Sequence, residues 1–129
     1  MFFYNSLLKQ KDVMDIEFSK ELIIAKRAAL EAGDFLRKNK NDLNNTTYST
    51  NRDIKLQADI EAEKIIKDII NSDSSYGILA EESGISSEKS YKNLWVVDPL
   101  DGTANYSRNI PLCCVSIAML SGTKPVLGV

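Results

Sequence analysis

Leu94-Trp95-Val96-Val97-Asp98-Pro99-Leu100-Asp101-Gly102-Thr103-Ala104-Asn105-Tyr106 runs from four apolar residues straight into two carboxylates separated by a proline and a leucine. The apolar run predicts a buried strand. Asp98-Pro99 predicts its end, because proline lacks the N–H that a ladder needs and biases the preceding residue toward extended geometry. Asp98 and Asp101 are therefore expected on a stiff turn at a strand end, a place where sheets present ligands. Gly102 permits close backbone approach and Thr103 adds a hydroxyl. A helical turn starting here would direct the amides of Gly102 and Thr103 toward an anion. The spacing predicts a point at which a cation and a phosphate meet.

Upstream, Tyr76-Gly77-Ile78-Leu79-Ala80 predicts a short buried strand, entered from a turn at 71–75 and ending at Glu81-Glu82. Glu81 continues directly from the buried run, which favours it over Glu82 as a site residue. Earlier still, Ala62, Ile65, Ile66 and Ile69 recur at helical spacing, with Asp59, Glu61 and Glu63 in the first turns where the helix dipole favours acids. Taken alone, Asp59 reads as an N-terminal cap. Phe18, Leu22, Ala25, Ala29, Ala32, Gly33 and Leu36 mark another amphipathic helix, whose small residues allow close packing. Residues 39–52 are rich in Asn, Thr and Ser and predict a loop or weak hairpin. Residues 86–93 read as a polar surface connection and 112–120 as a long apolar strand. A hairpin turn at 121–124 and a returning strand at 125–129 follow.

With 129 residues and a hydrophobic fraction of 43%, the chain has enough material for one core, and one domain is expected. Its 16 basic residues are scattered among 18 acidic ones, which argues against a nucleic-acid surface. No apolar stretch has the length of a membrane span, and the first residues lack the long apolar centre of a secretory signal, so a cytoplasmic protein is expected. Cys113 and Cys114 are adjacent in an apolar run and are expected to be buried free thiols on opposite faces of a strand; Cys-x-x-Cys spacing is absent. The chain contains no histidine. That excludes Ser-His-Asp and Cys-His arrangements within these residues, and histidine-ligated zinc. A metal would be held by oxygen, which favours magnesium, manganese or calcium. A regular Asp-x-Asp-x-Asp-Gly calcium loop is absent.

Asp98 to Tyr106 resembles the Asp-Pro-(Ile/Leu)-Asp-Gly-Thr-x-Asn-(Phe/Tyr) signature of the inositol monophosphatase family, magnesium-dependent and lithium-sensitive phosphomonoesterases. Gly77 to Gly84 is similar to the family's Glu-Glu-Ser metal motif, and Ala58 to Glu63 to its earlier Asp-bearing helix start; the three occur in family order. The resemblance implies an α+β fold, the N-terminal part of the family's layered αβαβα sandwich. Residues 1–129 would form an incomplete single domain that stops within the sheet, with 1–14 as a peripheral N-terminal extension.

The same resemblance implies two or three Mg2+ ions, with Mn2+ as a substitute. Glu81, Asp98 and the Leu100 carbonyl would hold one ion. Asp98 would bridge to a second, also held by Asp101, and Asp59 with Glu81 would hold a weaker third. Thr103, hydrogen-bonded to Asp59, would orient the attacking water, and the Gly102 and Thr103 amides would hold phosphate. An Asp from the family's second half would complete the second site, and Arg52 and Lys55 are the alternatives for a basic residue in the loop before Asp59. The implied activity is Mg2+-dependent hydrolysis of a small phosphate monoester, inositol monophosphate foremost, by metal-activated water. Histidinol phosphate, fructose bisphosphate and 3'-phosphoadenosine nucleotides are the alternatives within the family, and Asn105 to Pro111 looks more like the inositol or histidinol type. The 129 residues alone are expected to show little activity. The competing class is a non-catalytic binding module or a nonfunctional truncated product. Family resemblance also implies a homodimer, and neither nucleic acid nor membrane is expected as a partner.

Overall fold

Apolar spacing on two helices builds one side of the protein. The computed structural model describes residues 17–43, 46–49, 54–86 and 90–129. Helix α1, Ser19–Lys38, buries Ile24, Ala25, Ala28, Ala32 and Leu36 along one stripe and carries Arg37 and Lys38 in its last turn, where the dipole favours cations. Its terminal carbonyls find donors: the Asn39 side-chain amide bonds Phe35 O at 2.9 Å and the Tyr106 hydroxyl donates to Leu36 O at 2.8 Å. A short helix α2, Lys40–Leu43, follows. This helix lies inside the segment 39–52 expected as a loop or weak hairpin; β1, Thr46–Ser49, also falls in it and pairs antiparallel with β2, Ile54–Leu56, which lies beyond it.

Helix α3, Gln57–Asp73, buries Ala58, Asp59, Ala62, Glu63, Ile66 and Ile70. It runs into the segment 71–75 that was expected to turn, and ends where Ser74 N–H bonds Ile70 O and the backbone becomes extended. α1 and α3 pack on each other and against the sheet.

The sheet contains β3 (Tyr76–Ala80), β4 (Gly84–Ile85), β5 (Ser90–Asp101), β6 (Cys114–Ser121) and β7 (Lys124–Gly128), in the order β4-β3-β5-β6-β7. β3 and β5 are parallel, and the other neighbours are antiparallel. Ile78, Ala80, Trp95, Val97, Ile117 and Met119 are buried in alternation, as a sheet with one covered face requires. Trp95 is fully buried and its indole N–H donates to Ser74 Oγ at 3.0 Å, joining the sheet to the end of α3. Truncating such a side chain to alanine costs about 3–5 kcal/mol. Among the described residues no helix is long and apolar enough to cross a membrane. The expected peripheral extension, 1–14, lies outside the described residues.

Three further expectations are corrected. Residues 90–93 belong to β5 rather than to a surface connection: Asn93 pairs with Ser121, and Gly122 N–H bonds Lys92 O at 2.8 Å, so the hairpin partner draws a polar segment into the ladder. β5 also continues past Pro99 to Asp101. The proline's missing donor is harmless because β3 ends at Ala80, opposite Val97, and a bulge lies on the β6 side. Finally, both cysteines are exposed. Cys113 precedes the ladder and Cys114 lies on its last rung, paired with exposed Asp101, so both sit at the open end of the sheet, where they line a solvent-open cavity with Gly33, Leu36 and Tyr106.

The site-bearing turn is closed by helix α4, Thr103–Ser107.

Candidate active site

Parallel pairing brings the ends of β3 and β5 to one edge, with Ala80 beside Val97. Glu81 and Asp98 are the next residue on each strand, and Glu81 N–H donates to Val97 O at 3.1 Å, extending the register by one step. Asp98 Oδ1 accepts Leu100 N–H at 3.1 Å, which folds the chain back on its own carboxylate. In the bulge, Asp98 pairs with Ser116 and Asp101 with Cys114. Ser116 and Cys114 are two apart on β6 and so share a face; the extra residue on β5 puts Asp98 and Asp101 on that face too, although odd spacing would separate them in a regular strand.

Loss of solvent around the Glu81 carboxyl, its hydrogen bond with Asp98 and the negative charges of Asp98, Glu82 and Asp59 push it up to about 7. Asp101 is exposed, with Cys114 Sγ 3.9 Å from its Oδ2. Gly102 has φ +86°, and a Cβ there would lie 2.6 Å from Leu112 O. The glycine is therefore demanded by the chain's own return, apart from any ligand.

Asp59 both caps a helix and joins the site. Its Oδ2 accepts Leu56 N–H at 2.7 Å at the start of α3, and its Oδ1 accepts the Thr103 hydroxyl at 2.9 Å. Thr103 Oγ1 is also 2.9 Å from Leu100 O; having one hydrogen, it donates to one acceptor at a time. Burial raises the Asp59 carboxyl above its ordinary range, opposed by the bonds from Leu56 and Thr103 and aided by the charge of Glu82.

The sequence reading missed a role for Glu63. It is buried, and Oε2 accepts Glu82 N–H at 2.8 Å. Its separation of four from Asp59, on one helix face, was the available signal. Arg52 lies outside the described residues, and the Lys55 side chain is likewise undescribed. Among the described residues no Lys or Arg pairs with Glu81, Asp98 or Asp101, and no three acid or thiol side chains form a ready-made cage for a cation.

The model of the inositol monophosphatase family matches residues 18–129. The chain belongs to the inositol monophosphatase family. It is 38% identical over 102 residues to Nus factor SuhB of Xylella fastidiosa, covering 77% of this chain and 36% of that protein. To an inositol-1-monophosphatase of Mesorhizobium japonicum it is 38% identical over 106 residues, 80% of this chain and 40% of the other. The solved inositol monophosphatase of Anabaena matches with a TM-score of 0.72 at 36% identity, over 88% of this chain and 40% of that one. The chain thus spans about two-fifths of these relatives' lengths, and its α+β architecture is that of the corresponding part of the inositol monophosphatase fold.

Proposed function

We propose that this chain supplies the metal- and phosphate-facing strand ends of a Mg2+-dependent phosphomonoesterase acting on a small phosphate monoester, with inositol monophosphate the first substrate to test. The observation that carries this reading is the meeting of Glu81 and Asp98 at the ends of two parallel strands, with no cationic side chain against either among the described residues. Like charges held together need a shared proton or a cation. The donors are all oxygen, which fits a hard divalent ion. Glu81, Asp98 and Leu100 O would hold one ion, Asp98 and Asp101 a second, and Asp59 with Glu81 a third. When bound, Mg2+ supplies positive charge for the phosphoryl oxygens and a more acidic water.

The chain's own groups do the positioning. If Leu100 O were engaged by a cation, the Thr103 hydroxyl would commit its hydrogen to Asp59, and its oxygen would be left to accept a hydrogen bond from an attacking water, whose proton could pass to Asp59 as the hydroxyl hands its own hydrogen on. The turn at Gly102, fixed by its left-handed backbone, opens α4 with the Gly102 and Thr103 amides available to phosphate oxygens. In a family-length protein the remaining part would complete the second ion's ligands and the substrate pocket. The chain by itself would then turn over slowly, because in-line attack depends on every group being placed at once.

The test has two parts. Mn2+ titration of the purified chain should show binding that is lost in Asp98→Asn; absence of binding in the parent chain would refute the reading. Hydrolysis of inositol monophosphate, histidinol phosphate and fructose bisphosphate should then be compared between the chain and a family-length version, with lithium and Asp101→Asn as controls. A lithium-insensitive rate unchanged by Asp101→Asn would count against the proposed site.

A further inference from the structure

Glu63 is only 4% exposed, yet it belongs to none of the ligand sets above. Its Oε2 takes Glu82 N–H at 2.8 Å, and its Oε1 lies 3.7 Å from Lys67 Nζ. The Lys67 ammonium in turn donates to Ser83 Oγ at 2.7 Å. Two successive turns of α3 therefore grip the segment that follows Glu81. On its other side, Glu81 N–H is held by Val97 O at 3.1 Å.

Both peptide planes flanking the Glu81 Cα are thus anchored, one by β5 and one by Glu63. Peptide units are rigid, so fixing both planes fixes φ and ψ at Glu81 and narrows the directions open to its side chain. One turn earlier on the same helix, Asp59 holds Thr103 in the turn after β5. A single helix face, Asp59, Glu63 and Lys67, fastens both turns that carry the site.

We propose that Glu63 is a positioning residue: it fixes the Glu81–Glu82 peptide so that the Glu81 carboxylate stands beside Asp98 to receive a divalent cation. The proposal rests on the metal-site reading above and goes beyond it by assigning a task to a carboxylate that touches neither ion nor substrate. Burying an acid under one backbone amide has a chemical use here, because the orientation of a supporting acceptor governs how well a ligand binds.

The experiment pairs hydrogen exchange at the Glu82 amide with Mn2+ titration of the 129-residue chain. Glu63→Gln keeps an oxygen that can accept the Glu82 N–H, and should leave both amide protection and Mn2+ affinity near the parent values. Glu63→Ala should expose that amide to fast exchange and weaken Mn2+ binding roughly 10-fold, the scale on which supporting residues act at metal sites. The amides of α3 should stay protected. Glu63→Asp, too short by one methylene to reach, should follow alanine and replaces it if the alanine variant does not fold. Normal Mn2+ affinity in Glu63→Ala or Glu63→Asp, beside lost binding in Asp98→Asn, would overturn the positioning role and leave the metal site standing. Loss of affinity in Glu63→Gln equal to that in alanine would also overturn it. Equal Mn2+ binding by the parent and Asp98→Asn would overturn the metal-site reading and this proposal with it.

Discussion

Replacing Gly102 with alanine tests whether the turn that carries the proposed ligands is fixed by its own backbone. The position has φ +86°, where an L residue costs roughly 1–2 kcal/mol. The added Cβ would lie 2.6 Å from Leu112 O, 3.2 Å from Cys113 Cα and 3.3 Å from Cys113 Cβ. The closest neighbour is backbone, and Leu112 O already accepts the Asn105 side-chain amide at 2.8 Å, so relief requires residues 111–113 to move and strains that bond. Overpacking of this kind adds about 1–3 kcal/mol. The total is therefore about 2–5 kcal/mol. Gly122 is the control, with φ +58° and nothing within 4 Å of its would-be Cβ. Gly122→Ala should show the conformational cost alone, about 1–2 kcal/mol. Urea denaturation followed by fluorescence of Trp95, the chain's single tryptophan, reads both. The midpoint should fall further for Gly102→Ala at an unchanged slope, and only that variant should also lose Mn2+ affinity, because Asp101 and Thr103 flank it. Equal destabilisation by the two substitutions would refute the steric argument.

Three other outcomes are expected. In calorimetric titration, Asp98→Asn should weaken Mg2+ or Mn2+ binding far more than Glu82→Gln; equal effects would reject the assignment of Asp98 as the shared ligand. Thr103→Val removes a donor from buried Asp59 and should cost about 1–3 kcal/mol in urea denaturation, whereas Thr103→Ser should recover most of it. The metal-free folded chain holds a proton on Glu81 up to about 7, while the unfolded chain releases it near the ordinary 4.5, so stability should fall as pH rises between those values. Mn2+ affinity should rise over the same window, since the ion competes with that proton, and a flat affinity profile across it would contradict the reading.

Local rules recovered the elements well where each residue's environment was set by its neighbours in sequence. The α1 stripe, the α3 periodicity and the strand Tyr76–Ala80 required only the periods of helix and strand, although the expected burial of that strand holds for Ile78 and Ala80 and not for exposed Leu79. They failed where a partner distant in sequence decided the outcome. Asn93 looks like loop until Ser121 pairs with it. Cys113 and Cys114 look buried because the run containing them is apolar, but burial depends on which rung of the ladder the second layer reaches. Glu63 carried the correct helical spacing, yet its acceptor role depends on an amide 19 residues away.

Pro99 shows most clearly how the legible and the hidden combine. Its local rule is sound, since it has no hydrogen for a ladder, but the rule ends a strand only if a partner requires that hydrogen. On one side β3 has already stopped, and on the other the pairing skips from Asp98–Ser116 to Asp101–Cys114. Pro99 and Leu100, both buried, occupy the bulge. The proline therefore does not close the strand: it sits within an irregular register, and that register places two acids of odd spacing on one face. The residue read from sequence as a stop thus lies inside the strand, in the bulge that brings Asp98 and Asp101 onto one face before any ligand is considered.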